Sequence, residues 1–371
     1  MQLDRIVLVA LALHLGLADA QAPKDYPEAY ALTIAAARKE GKVVVYSVLS
    51  NKAAQPLVSD FKALYPGIEV EYDGESGSTE VTERFLAEVG AGKPSADVMW
   101  SSAMDLQMKL VADGHAASYA SPEAAKLPAW ARYKDEAYGT TFEPVVFVYN
   151  KQLLNAADVP QDHDEFASMM ALRRDLFRGK VTTFDIEKSG VGFMFAAQDS
   201  EHYAGIGALL KAMGGAGVHA SAGTGEMLTK IAAGQYLLGY NVMGAYAMVR
   251  SKKDLPSLGV VLPKDYTLVL SRVMFISRNA KHPHAARLWL DYVLSQRGQK
   301  VIGDALELFA VRDDVQARYS AAGLAQQMGR AARPIPLSAA ITQTLKPGAR
   351  DELIRQWKSS IAEGAAKTPR P

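Results

Sequence analysis

The stretch KVVVYSVLSNKAAQPLVSDFKALYPGIEVEYDG, residues 42–74, changes its hydrophobic period twice. KVVVYSVL is a continuous apolar run, KAAQPLVSDFKALYP spaces its apolar residues as a helix, and IEVEYDG alternates with period two. The order is strand, helix, strand. Helices of this length between strands imply parallel βαβ units, with helices covering both faces of the sheet. The same pattern continues outward. TEVTERFLAEVGAG (79–92) places Val81, Phe85, Leu86 and Val89 at helical spacing, and ADVMWSS (96–102) is the next strand. Upstream, YPEAYALTIAAARK (26–39) reads as a helix. Downstream, FEPVVFVYN (142–150), KVTTFDI (180–186), LLGYNV (237–242) and SRVMFIS (271–277) read as strands. Helices are expected from Gly190, around 203–213 and over EMLTKIAAG (226–234). HPHAARLWLDYVLSQRGQKVI (282–302) reads as one long amphipathic helix, with Ala285, Leu288, Trp289, Tyr292 and Val293 on one side.

At the N-terminus, Arg5 precedes the apolar run IVLVALALHLGLA and then Ala18-Asp19-Ala20, the small-x-small pattern of a signal peptidase site. The run is too short to anchor stably in a bilayer. Residues 1–20 are therefore expected to be a cleaved signal peptide, and the mature chain an exported, soluble, periplasmic protein. With no cysteine there is no disulfide framework, no lipid-bearing cysteine and no thiolate nucleophile or metal site. Stability then depends on a large core, and about 350 mature residues are enough for two lobes at roughly 100–200 residues each. The net charge of +1 becomes +2 when the leader's two acids and one base are removed. Lysines and arginines are scattered without a basic stripe, so neither nucleic acid nor an anionic membrane surface is indicated as a partner.

The ordered segments VVVYS, a helix, EVEY, a helix ending in A-x-K-P-S-A-D-V, and F-x-P-V-V-F-V-Y-N resemble the solute-binding proteins of ABC importers. KHPHAARLWLDYVLSQRGQ (281–299) is similar to the branch that binds ferric ion, thiamine, phosphonates and sugar phosphates. The resemblance spans roughly residues 41–312. It implies a two-lobed α/β protein of the type 2 periplasmic-binding fold, with two crossover strands near 142–149 and 268–275 acting as a hinge. Residues 21–142 and 272–371 would form the first lobe, carrying the C-terminal helices, and 143–271 the second. It further implies a monomer that closes on its ligand and docks on an inner-membrane permease. Elementary structure agrees, because helix N-termini and strand C-terminal ends converge in the crevice of an open α/β sheet.

Small polar residues collect at four strand-to-helix junctions: Ser50-Asn51, Ser78-Thr79, Ser101-Ser102 and Ser189-Gly190. Each offers unpaired backbone N–H groups, a positive dipole end and a hydroxyl to an anion, although plain N-capping explains any single one. The resemblance places an anion-binding helix start at Ser189-Gly190 and turns Thr224 toward the same crevice. Arg272, at the second crossover, is either a bidentate clamp for carboxylate or phosphate or a surface salt-bridge partner. Glu143, at the first, could receive sugar hydroxyls or an amine, or equally be a solvated hinge charge. His282-Pro283-His284 has no third ligand nearby and reads as a surface turn. GESGS (74–78) is one residue short of a nucleophile elbow, and GGAGVHASAGTG lacks the strand and helix order of a dinucleotide site. No catalytic set, cofactor motif or metal site is assigned.

In LGYNVMGAYAMVR (238–250), Tyr240 and Asn241 are expected to wall an organic pocket, and Tyr246 to line either that pocket or the core. The ferric binders that the chain resembles carry two consecutive tyrosines there and often a histidine near the first strand; this chain has Tyr240-Asn241 and Ser50-Asn51. The favoured ligand is thus a small anionic organic molecule, a sugar phosphate or phosphonate ahead of a plain carboxylate. Ferric ion is the alternative. An exported enzyme or a ligand sensor is the rival from another class.

Overall fold

The computed structural model describes residues 26–366; the expected signal peptide lies outside the described residues. The chain first builds α1 (Tyr30–Glu40), β1 (Lys42–Ser47), α2 (Asn51–Leu64), β2 (Glu69–Asp73), α3 (Ser78–Gly90), β3 (Val98–Ser101), α4 (Met104–Ala112), β4 (Arg132–Tyr133) and β5 (Ala137–Gly139). It then crosses into β6 (Glu143–Asn150), α5 (His163–Leu172), α6 (Arg174–Phe177), β7 (Val181–Phe184), α7 (Gly190–His202), α8 (Ile206–Gly215), β8 (His219–Ser221) and α9 (Thr224–Ala232). β9 (Leu238–Met243), α10 (Gly244–Lys253), β10 (Leu258–Val261) and β11 (Thr267–Leu270) complete that pass. The return contains β12 (Val273–Ile276), α11 (Pro283–Leu294), α12 (Gln296–Asp304) and α13 (Ala321–Met328), followed by β13 (Ala332–Pro334) and α14 (Ala349–Ala366).

The strands form two sheets. One has the order β2-β1-β3-β12-β5-β4; the other runs β13-β11-β6-β9-β7-β8, with β10 also paired to β6. Within the first, β1 lies parallel to β2 and β3, as the 42–74 stretch implied. β12, antiparallel to both of its neighbours, slots between β3 and β5 after the chain has visited the other sheet. The fold is thus the two-lobed α/β architecture, and the chain passes between the sheets at 140–142 and again at Ser271-Arg272. Both passages are tight, so residues on either side are held close to both lobes.

Two sequence expectations change. The amphipathic run 282–302 is broken at Ser295, whose hydroxyl accepts from the Gly298 amide and starts α12 afresh. Its apolar side is nonetheless buried as expected, Ala285, Leu288, Trp289 and Val293 being inaccessible. The break needs Gly298, since a Cβ there would lie 2.0 Å from the Tyr292 carbonyl oxygen. Secondly, the stretch after 272 does not stay on the first lobe. β13 pairs with β11 in the second sheet, and α14 packs on α8. Gly214 and Gly364 make that helix crossing possible, because a Cβ on either would fall about 2 Å from a carbonyl oxygen of the facing helix.

Two of the carboxylates buried without a cation have raised pKa values. Asp291 accepts from Tyr30, Tyr119 and Ser121 hydroxyls, and burial still pushes its pKa up to about 6. Asp105, in the first turn of α4, receives the Leu106 amide on one oxygen and nothing on the other, and burial pushes it up to about 7. Both values exceed the ordinary 3.8, so the folded protein holds these protons where the unfolded chain has released them. The contribution of these two groups to stability should therefore fall as pH rises from near 3.8 to about 7, and Asp105→Asn should remove its share of that fall. Urea denaturation at a series of pH values measures it; parallel wild-type and Asp105→Asn profiles would contradict the assignment.

Candidate functional site in the interlobe cleft

A cavity of about 450 Å³ lies between the lobes, within the size range of small-molecule sites. The first lobe contributes Val48, Gly77, Ser78 and Ser102, and the second crossover contributes Arg272. The second lobe supplies an apolar floor of Phe184, Val191, Leu228 and Met243, with Lys188, Ser189, Ala222, Gly223, Thr224, Gly225, Tyr246 and Arg250 around it. Three cations line the cavity and no carboxylate does.

Four helices start at this cavity. α3 begins behind Gly77, α9 behind Gly223 and α10 behind Met243, and none of the three has a side-chain cap. Their first-turn amides have no intrahelical partner, so the cleft receives N–H donors and positive dipole ends together. α7 is the fourth, where the Ser189 hydroxyl both lines the cavity and accepts from the Gly192 amide at 3.2 Å. The Thr224 hydroxyl is buried at the cavity wall and has no hydrogen-bond partner. At Gly190 the second lobe packs against the first: a Cβ there would sit 2.8 Å from Ser78 Oγ.

Arg272 is inaccessible and held in place. Its Nε donates to Glu143 Oε1 at 2.9 Å, and its Nη2 donates to Glu143 Oε2 at 3.3 Å and to the Tyr246 hydroxyl at 2.9 Å. Burial opposes the guanidinium charge, but the Glu143 carboxylate and Tyr246 more than offset it and raise the pKa. Thr141 ties the pair to the backbone, donating to Glu143 and accepting from the Arg272 amide, each at 2.8 Å. Glu143 is thus the counter-ion beneath Arg272 rather than a cavity-facing group. The other cations are also backed by acids turned away from the cavity, Arg250 by Asp254 and Lys188 by Asp185.

Of the residues expected from sequence, Ser78, Ser102, Ser189, Thr224, Tyr246 and Arg272 line the cavity; Ser50, Asn51, Thr79, Ser101, Glu143, Gly190, Tyr240 and Asn241 do not. Ser50 caps α2 through the Ala53 amide, and the Asn51 side chain receives the Gly74 amide. Ser101 holds the turn into α4 through the Ala103 amide, and Thr79 is exposed. Tyr240 points into the core of the second lobe, stacked with Phe147, and donates to Asp199 Oδ2 at 2.8 Å. Burial raises the pKa of this phenol well above 10.0, so it stays a neutral donor. Asn241 adopts φ 56° and turns its amide to the same Asp199 oxygen. Sequence reasoning missed Lys188 and Arg250. The signal for Arg250 was its position four residues after Tyr246 on one helix face. Among the described residues, no group of three or more His, Asp or Glu side chains is placed to hold a metal ion.

The family described as bacterial extracellular solute-binding protein matches residues 56–327. The chain belongs to that family. The solute-binding protein is 36% identical to the substrate-binding protein of an ABC transporter from Agrobacterium tumefaciens, covering 86% of this chain and 94% of that one with a TM-score of 0.80. AfuA from Actinobacillus pleuropneumoniae, solved with fructose-6-phosphate, is 18% identical over 86% of this chain and 98% of its own, TM-score 0.68. Iron-bound HitA from Pseudomonas aeruginosa is 17% identical over 86% and 99%, TM-score 0.65. At such identities these two share the fold. No curated protein matches the chain in sequence.

Variants of the buried pair and of Thr224 test the geometry of the solute-binding protein's cleft. Arg272→Ala leaves Glu143 buried without its cation and should cost about 3–5 kcal/mol of stability, while Glu143→Gln with Arg272→Met should recover much of it. Urea titrations of the three proteins decide; a single-variant loss below about 1 kcal/mol would mean the pair does not hold the crossovers together. Thr224→Val removes a buried unpaired hydroxyl, so it should leave the unliganded protein as stable or more stable while weakening ligand by about 1 kcal/mol.

Proposed function

We propose that this chain is the substrate-binding component of an ABC importer and captures a small anionic organic ligand, a phosphorylated molecule such as a sugar phosphate or phosphonate. One observation carries the reading: a cleft lined by Lys188, Arg250 and Arg272 without a carboxylate, onto which α3, α7, α9 and α10 all open their N-termini. A phosphoryl or phosphonyl group accepts several hydrogen bonds at once, which suits clustered amides and hydroxyls better than a single ion pair does. The apolar floor and Tyr246 suit the organic part.

The mechanism follows from where the donors sit. Ser78, Gly77 and Ser102 belong to the first lobe, and Ser189, Thr224 and Arg250 to the second. A ligand touching both sets stabilises the closed arrangement, because only contacts made in that state shift the equilibrium toward it. The crossovers supply the hinge. The closed protein, exported to the periplasm, then docks on an inner-membrane permease.

Ferric ion fits less well. Tyr246 is the one phenol lining the cavity and already accepts from Arg272, whereas a hard Fe(III) ion calls for several anionic oxygens. No nucleophile with a base and orienting acid lines the cleft, which supports binding over catalysis. A thermal-shift screen of the mature protein against sugar phosphates, phosphonates, dicarboxylates, thiamine and ferric salts tests the proposal. Phosphoryl or phosphonyl compounds should raise Tm, and Arg250→Ala should weaken the best of them about tenfold. A response to ferric salt alone, with a visible tyrosinate-to-iron band, would overturn it.

A further inference from the structure

A second cavity, of about 530 Å³, lies behind α10. Successive residues on an α-helix turn by about 100°, so Tyr246 and Arg250 share the face toward the ligand cleft. Met248, Ser251 and Lys252 lie on the other face and line the second cavity. Its opposite wall comes from α13 and the segment before it, including Tyr319, which packs in the core of the first lobe. An occupant would therefore touch both lobes without entering the cleft.

Two features give this cavity a chemistry. Tyr149 lies over Gly259 so closely that a Cβ on the glycine would fall 2.1 Å from its ring, so the missing side chain is what lets the ring form a flat wall. Tyr319 supplies a second ring, with the Lys252 ammonium 5.8 Å from its centroid. Around the rings stand Lys151, Lys252 and Arg318, and no acid lines the cavity. Among the described residues none of these three cations makes an ion pair. Asp304, which accepts from the Arg318 backbone amide and lies within the field of the Arg318 charge, gives its other oxygen to Lys300.

We infer that this cavity is a second ligand site, for a small planar aromatic anion whose ring lies between Tyr149 and Tyr319 and whose charged group meets Lys151, Lys252 and Arg318. The rings supply flat apolar contact and the three unpaired cations select charge. A neutral aromatic molecule gains the first and forgoes the second.

Calorimetric titration of the full chain with benzoate, phenyl phosphate and benzyl alcohol tests the site. At least one of the two anions should bind saturably and more than tenfold tighter than benzyl alcohol. Lys151→Ser combined with Arg318→Ser should weaken the anion at least tenfold with Tm unchanged, both side chains being exposed. Lys188→Ser, in the ligand cleft, should leave it unaffected. Absence of saturable anion binding, equal binding of benzyl alcohol, or a loss on Lys188→Ser instead of the double variant would each overturn the inference.

Discussion

The ion pair between Glu143 and Arg272 is the constraint on which the two-lobed arrangement turns. Glu143 is the first residue of β6 and Arg272 lies between β11 and β12, so the pair fastens one interlobe passage to the other. Burying two charges is costly, and the gain returns only when geometry and supporting hydrogen bonds are good. Here Thr141 and Tyr246 supply that support. A hydrophobic substitute of the same volume could match the stability; what it could not do is fix a guanidinium in the wall of the cleft. The pair thus links the crossovers to the cavity, because the group that holds them together also lines it.

The electrostatics of the cleft follow. Every lining cation has a carboxylate behind it, so the cavity presents oriented donors more than surplus charge. Preorganised donors cost little to reorganise when a ligand arrives, and uncapped helix starts add amides that water would otherwise satisfy. Such a surface favours a group with many acceptor atoms over a bare monovalent anion. That preference underlies the phosphorylated-ligand proposal.

Much of the fold was legible in the sequence because its strands are long in apolar residues and its helices keep a 3.6-residue period, and these patterns are local. The break at Ser295 was not legible, since the periodicity runs through it and only the close approach of Gly298 to Tyr292 forces the kink. The docking of α14 on the second lobe was hidden for a similar reason: it rests on two glycines, 214 and 364, that are far apart in sequence and meet only in the fold, and the pairing of β13 with β11 is likewise between distant segments. In the site, junction residues such as Ser189 and Thr224 could be found because strand-to-helix turns face the crevice. Whether a hydroxyl caps its own helix, as Ser50 does, or stays unpaired, as Thr224 does, depends on neighbours that the sequence does not order.

Tyr240 and Asn241 illustrate how a misplaced residue can still matter to the site. Both donate to Asp199, which also accepts from the Tyr266 hydroxyl, so one buried carboxylate collects three donors at the end of β9. A carboxylate accepts that many bonds without strain, and the three donors replace the water it has lost. The Asn241 tie coincides with a left-handed backbone, a conformation asparagine tolerates better than most residues, and β9 runs from it into α10 within three residues. The direction in which α10 leaves the sheet is thereby fixed, and with it the positions of Tyr246 and Arg250 at the cleft. These buried residues touch no ligand in the proposed site, yet they set the helix whose side chains do.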